Sequence, residues 1–310
     1  MKEGEELTDK MKLFTDSDFD GVSCGILGTL AFEDDIDITY TSPKNIDVKI
    51  KKYIESKDYL NYFYTTITDL SVNQENAEKI NEIEKSNSCF YLLDHHSTAK
   101  ELNMYPWCNV ELENEKGLTC GTSLFYEHLI NSKVLKQQPN LDKFVELARK
   151  YDTWIWKKEN DLEPKLWNDL MYIIGREDFI KSTIDKIKVS YDWLDFTYEE
   201  NLLLSYNQKK IDKYIEMKAK NIISMNVFDY NAGVVFAEQV LSELGDKLGE
   251  MFPEFDLIAM INMGTQTISY RTQRDNVNLG DIAKKLGGGG HQKAAGSPIN
   301  NIEDFLKRIF

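Results

Sequence analysis

Several features that assign a protein to a particular class are missing from this chain of 310 residues. No apolar run approaches the roughly 18 residues that a membrane span needs, and the first ten residues, MKEGEELTDK, lack the apolar core of a signal peptide. None of the four cysteines forms a C-x-x-C pair, so neither a zinc knuckle nor a disulfide framework is indicated. We therefore expect a cytoplasmic protein with reduced thiols and no membrane partner.

Positive charge is also scarce. The chain has 37 Lys and Arg against 52 Asp and Glu, which gives a formal net charge of −15. This balance argues against a protein that coats duplex DNA through a broad basic face, but it leaves room for a short anionic substrate in a locally positive pocket. No serine or cysteine lies in a recognisable nucleophile turn, so a catalytic triad is not indicated.

Strand and helix patterns alternate in the first half of the chain. The apolar and β-branched runs predict strands at 11–15, 36–41, 62–69 and 89–94. The helical patterns in this half cover 21–32, 73–86, 119–130 and 141–154. Because strands that alternate with helices pair in parallel, we predict an α/β domain with a parallel sheet covered on both faces.

The second half has a different organisation. Residues 196–225 are rich in lysine and glutamate, with apolar residues at helical intervals, and predict a connecting helix. The runs AGVVFA, LIAMINM and TISYRT predict strands, and a helix and a glycine-rich loop follow them. We therefore predict an N-terminal domain over 1–190, a helical linker over 191–225 and a smaller α/β domain over 226–310.

Three aspartates close the first predicted strand. In LFTDSDFDGV, the side chains of Asp16, Asp18 and Asp20 share one side while the chain is extended. Ligands bind at this carboxyl edge in open α/β sheets. A calcium-binding EF-hand loop also opens with D-x-D-x-D-G, but its glutamate position falls on Leu27 and no helix precedes the loop. The aspartates therefore need a different cation.

Two other predicted strands end in acids or histidines. TTITDLS brings Asp69 to a strand end, YLLDHHS brings Asp94, His95 and His96, and Asp152 in YDTW follows a helix that could dock beside them. One such aspartate would be an ordinary turn residue, but together they indicate a metal site. Carboxylates and imidazoles without thiolates suit manganese, iron or magnesium. Their number fits two ions about 3.5–4 Å apart that share one carboxylate.

These motifs also resemble a known family. DSDFDG, TDLS, LLDHHS and YDTW, in that order, resemble the four motifs of the DHH phosphoesterase superfamily. GGGGHQKAAG resembles the signature of the DHH-associated domain in the RecJ-like and nanoRNA-degrading branches. The resemblance covers nearly the whole chain and implies a two-manganese phosphodiesterase, with magnesium as the alternative metal and the active site in the cleft between the domains. Phe14 stands where some branches have a histidine, and the D-x-D-x-D form is closer to RecJ-like members.

The resemblance also implies roles for individual residues. The implied metal ligands are Asp16, Asp18, Asp20, Asp69, His95 and Asp152. Asp16 and Asp18 would hold the first ion, Asp69 would bridge the two ions, and the other three would complete the second site. His96 would face the phosphate as a catalytic residue, and Asp94 would orient the histidines.

The glycine-rich segment near the C-terminus is locally positive. Five basic residues lie between residues 271 and 293, against the two acids Asp275 and Asp281. Gly288, Gly289 and Gly290 would let backbone N–H groups approach an anion closely. By the resemblance, Arg271 and His291 would grip a phosphate or nucleotide of the substrate.

The sequence therefore predicts a metal-dependent phosphodiesterase that degrades short single-stranded oligonucleotides, nanoRNA or short DNA, to mononucleotides. Enzymes of the same architecture that act on cyclic dinucleotides or on 3′-phosphoadenosine 5′-phosphate are the alternatives. A non-catalytic nucleotide sensor is the alternative from another class, but it would be expected to have lost ligands that this chain retains. RNA against DNA preference, substrate length, direction of attack and oligomeric state, including a homodimer, stay open at this point.

Overall fold

The computed structural model describes residues 10–189 and 194–299. The chain divides between Leu204 and Ser205 into two compact units. The predicted boundaries at 190 and 225 stay predictions, and the division falls inside the segment that was predicted as a linker. No helix among the described residues is both long and apolar enough to cross a lipid bilayer.

A parallel sheet forms the centre of the first unit. Its strands are β1 (Met11–Asp16), β2 (Ile36–Thr41), β3 (Tyr64–Thr68), β4 (Phe90–Asp94) and β5 (Cys108–Val110). They lie in the order β2-β1-β3-β4-β5, and each neighbouring pair is parallel. A small antiparallel hairpin of β6 (Glu113–Asn114) and β7 (Gly117–Leu118) follows. The predicted parallel sheet is confirmed.

Helices cover both faces of this sheet. They are α1 (Phe19–Phe32), α2 (Ile46–Glu55), α3 (Gln74–Glu84), α4 (Gly121–Asn131), α5 (Pro139–Asp152), α6 (Ile155–Glu159), α7 (Glu163–Ile174) and α8 (Arg176–Val189), with 3₁₀ turns at Asp58–Asn61 and Ser97–Met104. Neighbouring residues of β1 belong to different buried clusters: Leu13 lies in the one that contains Phe125 and Trp167, whereas Phe14 lies in the one that contains Ile67. Such alternation is expected for a strand that is buried on both sides.

Helix α1 starts earlier than its apolar pattern predicted. The pattern indicated residues 21–32, but the helix begins at Phe19 because the Asp18 carboxylate accepts a hydrogen bond from the Gly21 N–H at 3.0 Å and caps it. Asp20 therefore lies in the first turn of the helix rather than on an extended strand. Asp18 and Asp20 therefore lie at the N-terminus of α1, directly after β1.

The second unit has a mixed sheet. Its strands are β8 (Ile223–Val227), β9 (Tyr230–Phe236), β10 (Leu257–Asn262), β11 (Thr267–Arg271), β12 (Gly289–Gly290) and β13 (Ala294–Pro298). They lie in the order β12-β13-β11-β10-β9-β8, and β9 and β10 are parallel while the other pairs are antiparallel. The helices are α9 (Tyr198–Ala219), which runs across the division of the chain, α10 (Leu241–Met251) and α11 (Leu279–Lys285).

The glycine-rich segment is not the loop that its composition predicted. Gly289 and Gly290 form the short strand β12, which pairs with Gly296 and Ala295 of β13. The His291 N–H donates to the Ala294 carbonyl at 2.8 Å and closes the turn of this hairpin. The last two glycines of the run are therefore part of the sheet.

Candidate metal centre

The carboxyl ends of three neighbouring strands meet at one edge of the first unit's sheet. Thr15 of β1 is in register with Thr68 of β3, which in turn pairs with Leu93 of β4. The residue that follows each of these three is an aspartate: Asp16, Asp69 and Asp94. Parallel pairing therefore aligns three carboxylates from distant parts of the sequence.

The acids and histidines of this edge form groups compact enough to hold a cation. The ligand atoms lie within 4.8 Å of one another in each of three groups: Asp16, Asp18 and Asp69; Asp20, His95 and Asp152; Asp69, Asp94, His95 and His96. The first two groups contain all six predicted metal ligands. Asp69 Oδ1 of the first group lies 3.3 Å from His95 Nε2 of the second, so the two groups adjoin.

The N-terminus of α4 holds one of these carboxylates. Asp20 is 2% exposed, and its two carboxylate oxygens accept hydrogen bonds from the N–H groups of Gly121 at 2.6 Å and Thr122 at 2.8 Å. The positive end of a helix favours a negative charge at this point. A Cβ atom on Gly121 would lie 2.5 Å from Asp69 Cβ and 3.0 Å from Asp20 Oδ2. Glycine is therefore required for α4 to come this close to both aspartates.

Two buried polar atoms at the centre of the cluster have no hydrogen-bond partner among the described residues. They are Asp69 Oδ2 and His95 Nε2. Asp69 is 2% exposed and has a left-handed backbone with φ 54°, while its N–H donates to the Leu93 carbonyl at 3.0 Å. Leaving a buried polar atom unpaired costs roughly 1–3 kcal/mol. A carboxylate oxygen and an imidazole nitrogen in this state have the donor chemistry of metal ligands, so the residues fit a divalent ion.

Asp94 organises the two histidines. Its side chain is fully buried, and its Oδ1 accepts a hydrogen bond from the His95 N–H at 2.8 Å and lies 2.7 Å from His96 Nδ1. The Ser71 hydroxyl donates to the other oxygen. The hydrogen bond to Asp94 raises the pKa of His96 to about 9, whereas burial lowers the pKa of His95. The two imidazoles therefore differ: burial disfavours the charged form of His95, whereas Asp94 favours the charged form of the half-exposed His96.

The carboxylates repel one another in the absence of a cation. Burial, with the charge of Asp20 adding to it, raises the pKa of Asp152 to about 8 and that of Asp18 to about 6. Burial also raises the pKa of Asp69 well above its ordinary value, again with Asp20 as the next cause. A low dielectric and like charges disfavour ionised acids. A bound cation would reverse this penalty, which makes the cluster electrostatically suited to metal.

The residues predicted to bind substrate lie in the second unit, where two of them, Arg271 and Gly288, make contacts that support the fold. The Arg271 guanidinium donates to the Tyr270 carbonyl at 2.9 Å and to the Ser242 hydroxyl at 2.7 Å. A Cβ atom on Gly288 would lie 2.0 Å from the Gly296 carbonyl oxygen, whereas one on Gly289 would meet nothing within 4 Å.

The turn of the hairpin has its own requirements. Gly290 has φ 140°, a conformation that favours glycine, and His291 is exposed. The binding role of Arg271 and of these hairpin residues stays a prediction.

Sequence reasoning missed two residues near the centre. Gly121 carries no reactive group, and the only signal for it is a glycine inside the helix-start run TCGTS. Tyr172 on α7 is exposed, and partial burial of its hydroxyl, followed by the charges of Asp18 and Asp16, raises its pKa. Neither feature is readable without the three-dimensional arrangement.

Comparison with known proteins defines the family. Residues 218–310 match the DHHA1 domain. The chain is 36% identical over 302 residues to oligoribonuclease NrnB of Bacillus subtilis, which covers 96% of this chain and 75% of that protein. This chain belongs to the DHH phosphoesterase superfamily and carries the DHHA1 domain.

Solved structures share the fold. RecJ of Thermus thermophilus, in complex with Mn²⁺, matches with a TM-score of 0.59 and 11% identity over 97% of this chain and 51% of that one. The pGpG-specific phosphodiesterase PggH of Vibrio cholerae matches with a TM-score of 0.56 and 18% identity over 97% of both chains. At these identities the likeness concerns the fold alone.

Proposed function

We propose that the protein is a metal-dependent phosphodiesterase that hydrolyses short single-stranded oligonucleotides to mononucleotides. The observation that carries the proposal is the unsatisfied pair of Asp69 Oδ2 and His95 Nε2 among buried carboxylates. The similarity to oligoribonuclease NrnB over most of the chain supports the substrate class. The proposed cellular location is the cytoplasm, and a homodimer stays a prediction.

The cofactors are proposed to be two divalent ions, manganese or magnesium. Asp16, Asp18 and Asp69 would hold one, and the second would be held by Asp69 together with Asp20, His95 and Asp152. When bound, such ions supply Lewis-acid chemistry, which activates water for attack on phosphorus and neutralises charge on the phosphate. Burial keeps the His95 imidazole neutral, as a metal ligand must be.

His96 is proposed to stabilise the phosphate during the reaction. Its Nδ1 is engaged by Asp94 at 2.7 Å, which fixes the ring and leaves Nε2 to donate to a phosphate oxygen. In the metal-free protein the hydrogen bond to Asp94 raises the pKa of His96 to about 9, which favours the protonated ring at neutral pH. A charge-assisted hydrogen bond from a pre-oriented donor stabilises the charge that develops on the phosphoryl oxygens.

Arg271 and the hairpin residues Gly288, Gly289, Gly290 and His291 are proposed to hold the substrate. Arginine matches a phosphate with two parallel hydrogen bonds. The proposal includes an active site in the cleft between the domains, so that the second domain holds one part of the oligonucleotide while the other part reaches the metal centre.

A second candidate is an enzyme specific for linear dinucleotides rather than for short oligonucleotides in general. PggH, a solved structure with the same fold, is named for pGpG, a linear dinucleotide, and this makes a dinucleotide a substrate to test beside longer chains. Cyclic dinucleotides and 3′-phosphoadenosine 5′-phosphate stay alternatives from the same chemistry. A non-catalytic sensor is disfavoured because the structure brings all six predicted ligands together.

The test is a product time-course with the purified full chain. The substrates are end-labelled RNA and DNA from dinucleotides to long oligomers, with cyclic dinucleotides and 3′-phosphoadenosine 5′-phosphate in parallel. We expect release of mononucleotides in manganese, fastest for the shortest substrates, and no activity in excess chelator. Full activity after prolonged dialysis against chelator would contradict the metal requirement, and exclusive cleavage of a cyclic dinucleotide would replace the proposed substrate.

A further inference from the structure

A tryptophan lies close to the candidate metal centre in the chain. Trp154 follows Asp152 by two residues, and Asp152 Oδ2 lies 3.5 Å from His95 Nε2. It occupies the junction of α5 and α6 with φ 61° and ψ 12°. This left-handed conformation is rare for a bulky side chain, and residues held in it cluster at functional sites. The fold therefore keeps a tryptophan at an unfavourable backbone position two residues after Asp152.

The indole is the exposed end of an aromatic stack. The Trp154 and Trp156 rings are near-parallel, with centroids 6.3 Å apart and 25° between planes. Trp156 stacks in turn on Tyr151, at 6.2 Å and 13°, and Tyr151 meets the buried Phe19 edge-on at 5.8 Å. Trp156 is 8% exposed and Trp154 is 51% exposed. The stack therefore starts in the core and ends in solvent.

Packing alone does not explain the outer ring. Trp156 already fills the space against Tyr151, and Trp154 leaves half of a large apolar surface in water. The Lys157 ammonium lies 4.6 Å from the Trp154 ring centroid, a cation–π geometry. An exposed aromatic ring that is held in place from the core offers a π surface on which a nucleobase can stack.

We propose that Trp154 is a stacking platform for a nucleobase of the substrate, on the nucleotide whose phosphate reaches the metal centre. This inference rests on the proposed function and adds to it a base-binding position in the first unit. Every base has a π face, so the platform accepts purines and pyrimidines alike. It makes the enzyme require a base at one position of the dinucleotide without reading its sequence.

The kinetic test compares matched substrates. Wild type and Trp154→Ala are assayed on pApA and on two analogues in which one or the other base is replaced by hydrogen. We expect Trp154→Ala to lower kcat/KM on pApA by about ten- to a hundredfold, because one stacked base contributes that much. On the analogue that lacks the stacked base the same change should cost less than about twofold. Trp154→Phe should keep most of the activity on pApA.

The control separates stacking from support of the metal site. Phe63→Ala removes another exposed aromatic ring of the same unit, just before β3 and so at the amino end of the sheet. It should leave kcat/KM on all three substrates unchanged. Equal losses on pApA and on both analogues for Trp154→Ala, with manganese content unchanged, would show a structural role and overturn the proposal.

A binding test does not depend on oligonucleotide hydrolysis. AMP and ribose 5-phosphate differ only by the base, and each is titrated calorimetrically in the presence of manganese. We expect wild type to prefer AMP by about tenfold or more and Trp154→Ala to bind both with similar affinity. If the protein hydrolyses no oligonucleotide but shows this pattern, the proposed function fails and the platform stands. No preference for AMP in wild type, or a preference that Trp154→Ala retains, would overturn the platform.

Discussion

Two regions of the molecule contribute differently to the stability of the fold. The acidic edge is the cluster of predicted metal ligands at the carboxyl ends of β1, β3 and β4, and the glycine hairpin is formed by β12 and β13. At the acidic edge, buried carboxylates repel one another and two buried polar atoms lack a hydrogen-bond partner among the described residues, so the arrangement opposes folding. In the hairpin, Gly288 and Gly290 fit close backbone neighbours, and Arg271 on the neighbouring strand β11 is hydrogen-bonded to Tyr270 and Ser242, so the arrangement supports folding. A site that costs stability indicates function more directly than one that a fold requires anyway.

The largest effect is expected from Asp69→Ala, which breaks the acidic edge at its centre. Asp69 belongs to the same compact group as Asp16 and Asp18 and also lies 3.3 Å from His95, so its removal weakens both proposed ion sites. We expect a loss of activity on the order of a thousandfold or more and a loss of bound manganese. The measurement pairs oligonucleotide kinetics with metal analysis, and Asp34→Ala, an exposed acid of the same unit, is the control. Two ions still bound to Asp69→Ala would show that this carboxylate does not bridge.

Gly121→Ala tests whether α4 sets the spacing of the acidic edge. The new methyl group would lie 2.5 Å from Asp69 Cβ, which is too close for either backbone to stay in place. We expect manganese affinity to fall about ten- to a hundredfold, as for other residues that orient metal ligands. Gly28→Ala is the matched control, because its methyl group would meet the Ile36 side chain in the core instead. A loss of manganese affinity in the control as large as in Gly121→Ala would reduce the effect to general destabilisation.

Arg271→Ala tests whether the second unit binds a phosphate of the substrate. Losing a charge-assisted phosphate contact costs about 1.5–3 kcal/mol, or roughly ten- to a hundredfold in kcat/KM on an oligonucleotide. A small activated diester such as methyl p-nitrophenyl phosphate should be hydrolysed nearly as before, since it does not reach the second domain in the proposed arrangement. Arg271→Lys keeps the charge but loses the planar fork, so we expect an intermediate loss. Equal losses on both substrates, with manganese content intact, would mean that the second unit takes part in the chemistry.

Two neighbouring glycines separate binding from folding inside the hairpin. Gly288→Ala would place a methyl group 2.0 Å from the Gly296 carbonyl oxygen, whereas Gly289→Ala would meet nothing within 4 Å. We expect Gly288→Ala to destabilise the second unit by about 1–3 kcal/mol in a urea titration. We expect Gly289→Ala to unfold at the same urea concentration as wild type. Because the proposal places the Gly289 backbone at the substrate, kcat/KM on an oligonucleotide should fall. An unchanged kcat/KM in Gly289→Ala would restrict the glycine run to a structural role.

The same contrast explains what could be predicted from the sequence. Strands β1, β3 and β4 were predicted because each is a short apolar or β-branched run, and their parallel register then aligned Asp16, Asp69 and Asp94. Helix α10 was missed although Leu241, Leu244 and Leu248 have helical spacing. Strand β8 was missed because four of its five side chains are exposed and give no apolar alternation.

Features that depend on contacts between distant segments were beyond the sequence. Gly121 is required because α4 approaches β3, and no local pattern records that approach. The hairpin was missed for a related reason, since a glycine run has no side-chain alternation from which a strand could be recognised. Motifs thus identified the chemistry, while close packing and backbone pairing needed the structure.

The smallest effect concerns the stability of the metal-free protein. Burial raises the pKa of Asp152 from 3.8 to about 8, so the folded chain binds this proton more tightly than the unfolded chain does. The stability of the folded state therefore falls as the pH rises from about 4 to about 8, because unfolding releases the proton.

Asp152→Asn removes the titrating group, and in chelator it should melt at a higher temperature than wild type. The gap should widen from pH 6 to pH 8 and reach on the order of 5 °C. Manganese should reverse the order of the two melting temperatures, since wild type then binds an ion that the variant holds poorly. A difference in melting temperature that stays constant with pH in chelator would mean that the charged form of Asp152 is not destabilised in the folded protein. Charge repulsion at the acidic edge would then be weaker than the contrast with the hairpin assumes.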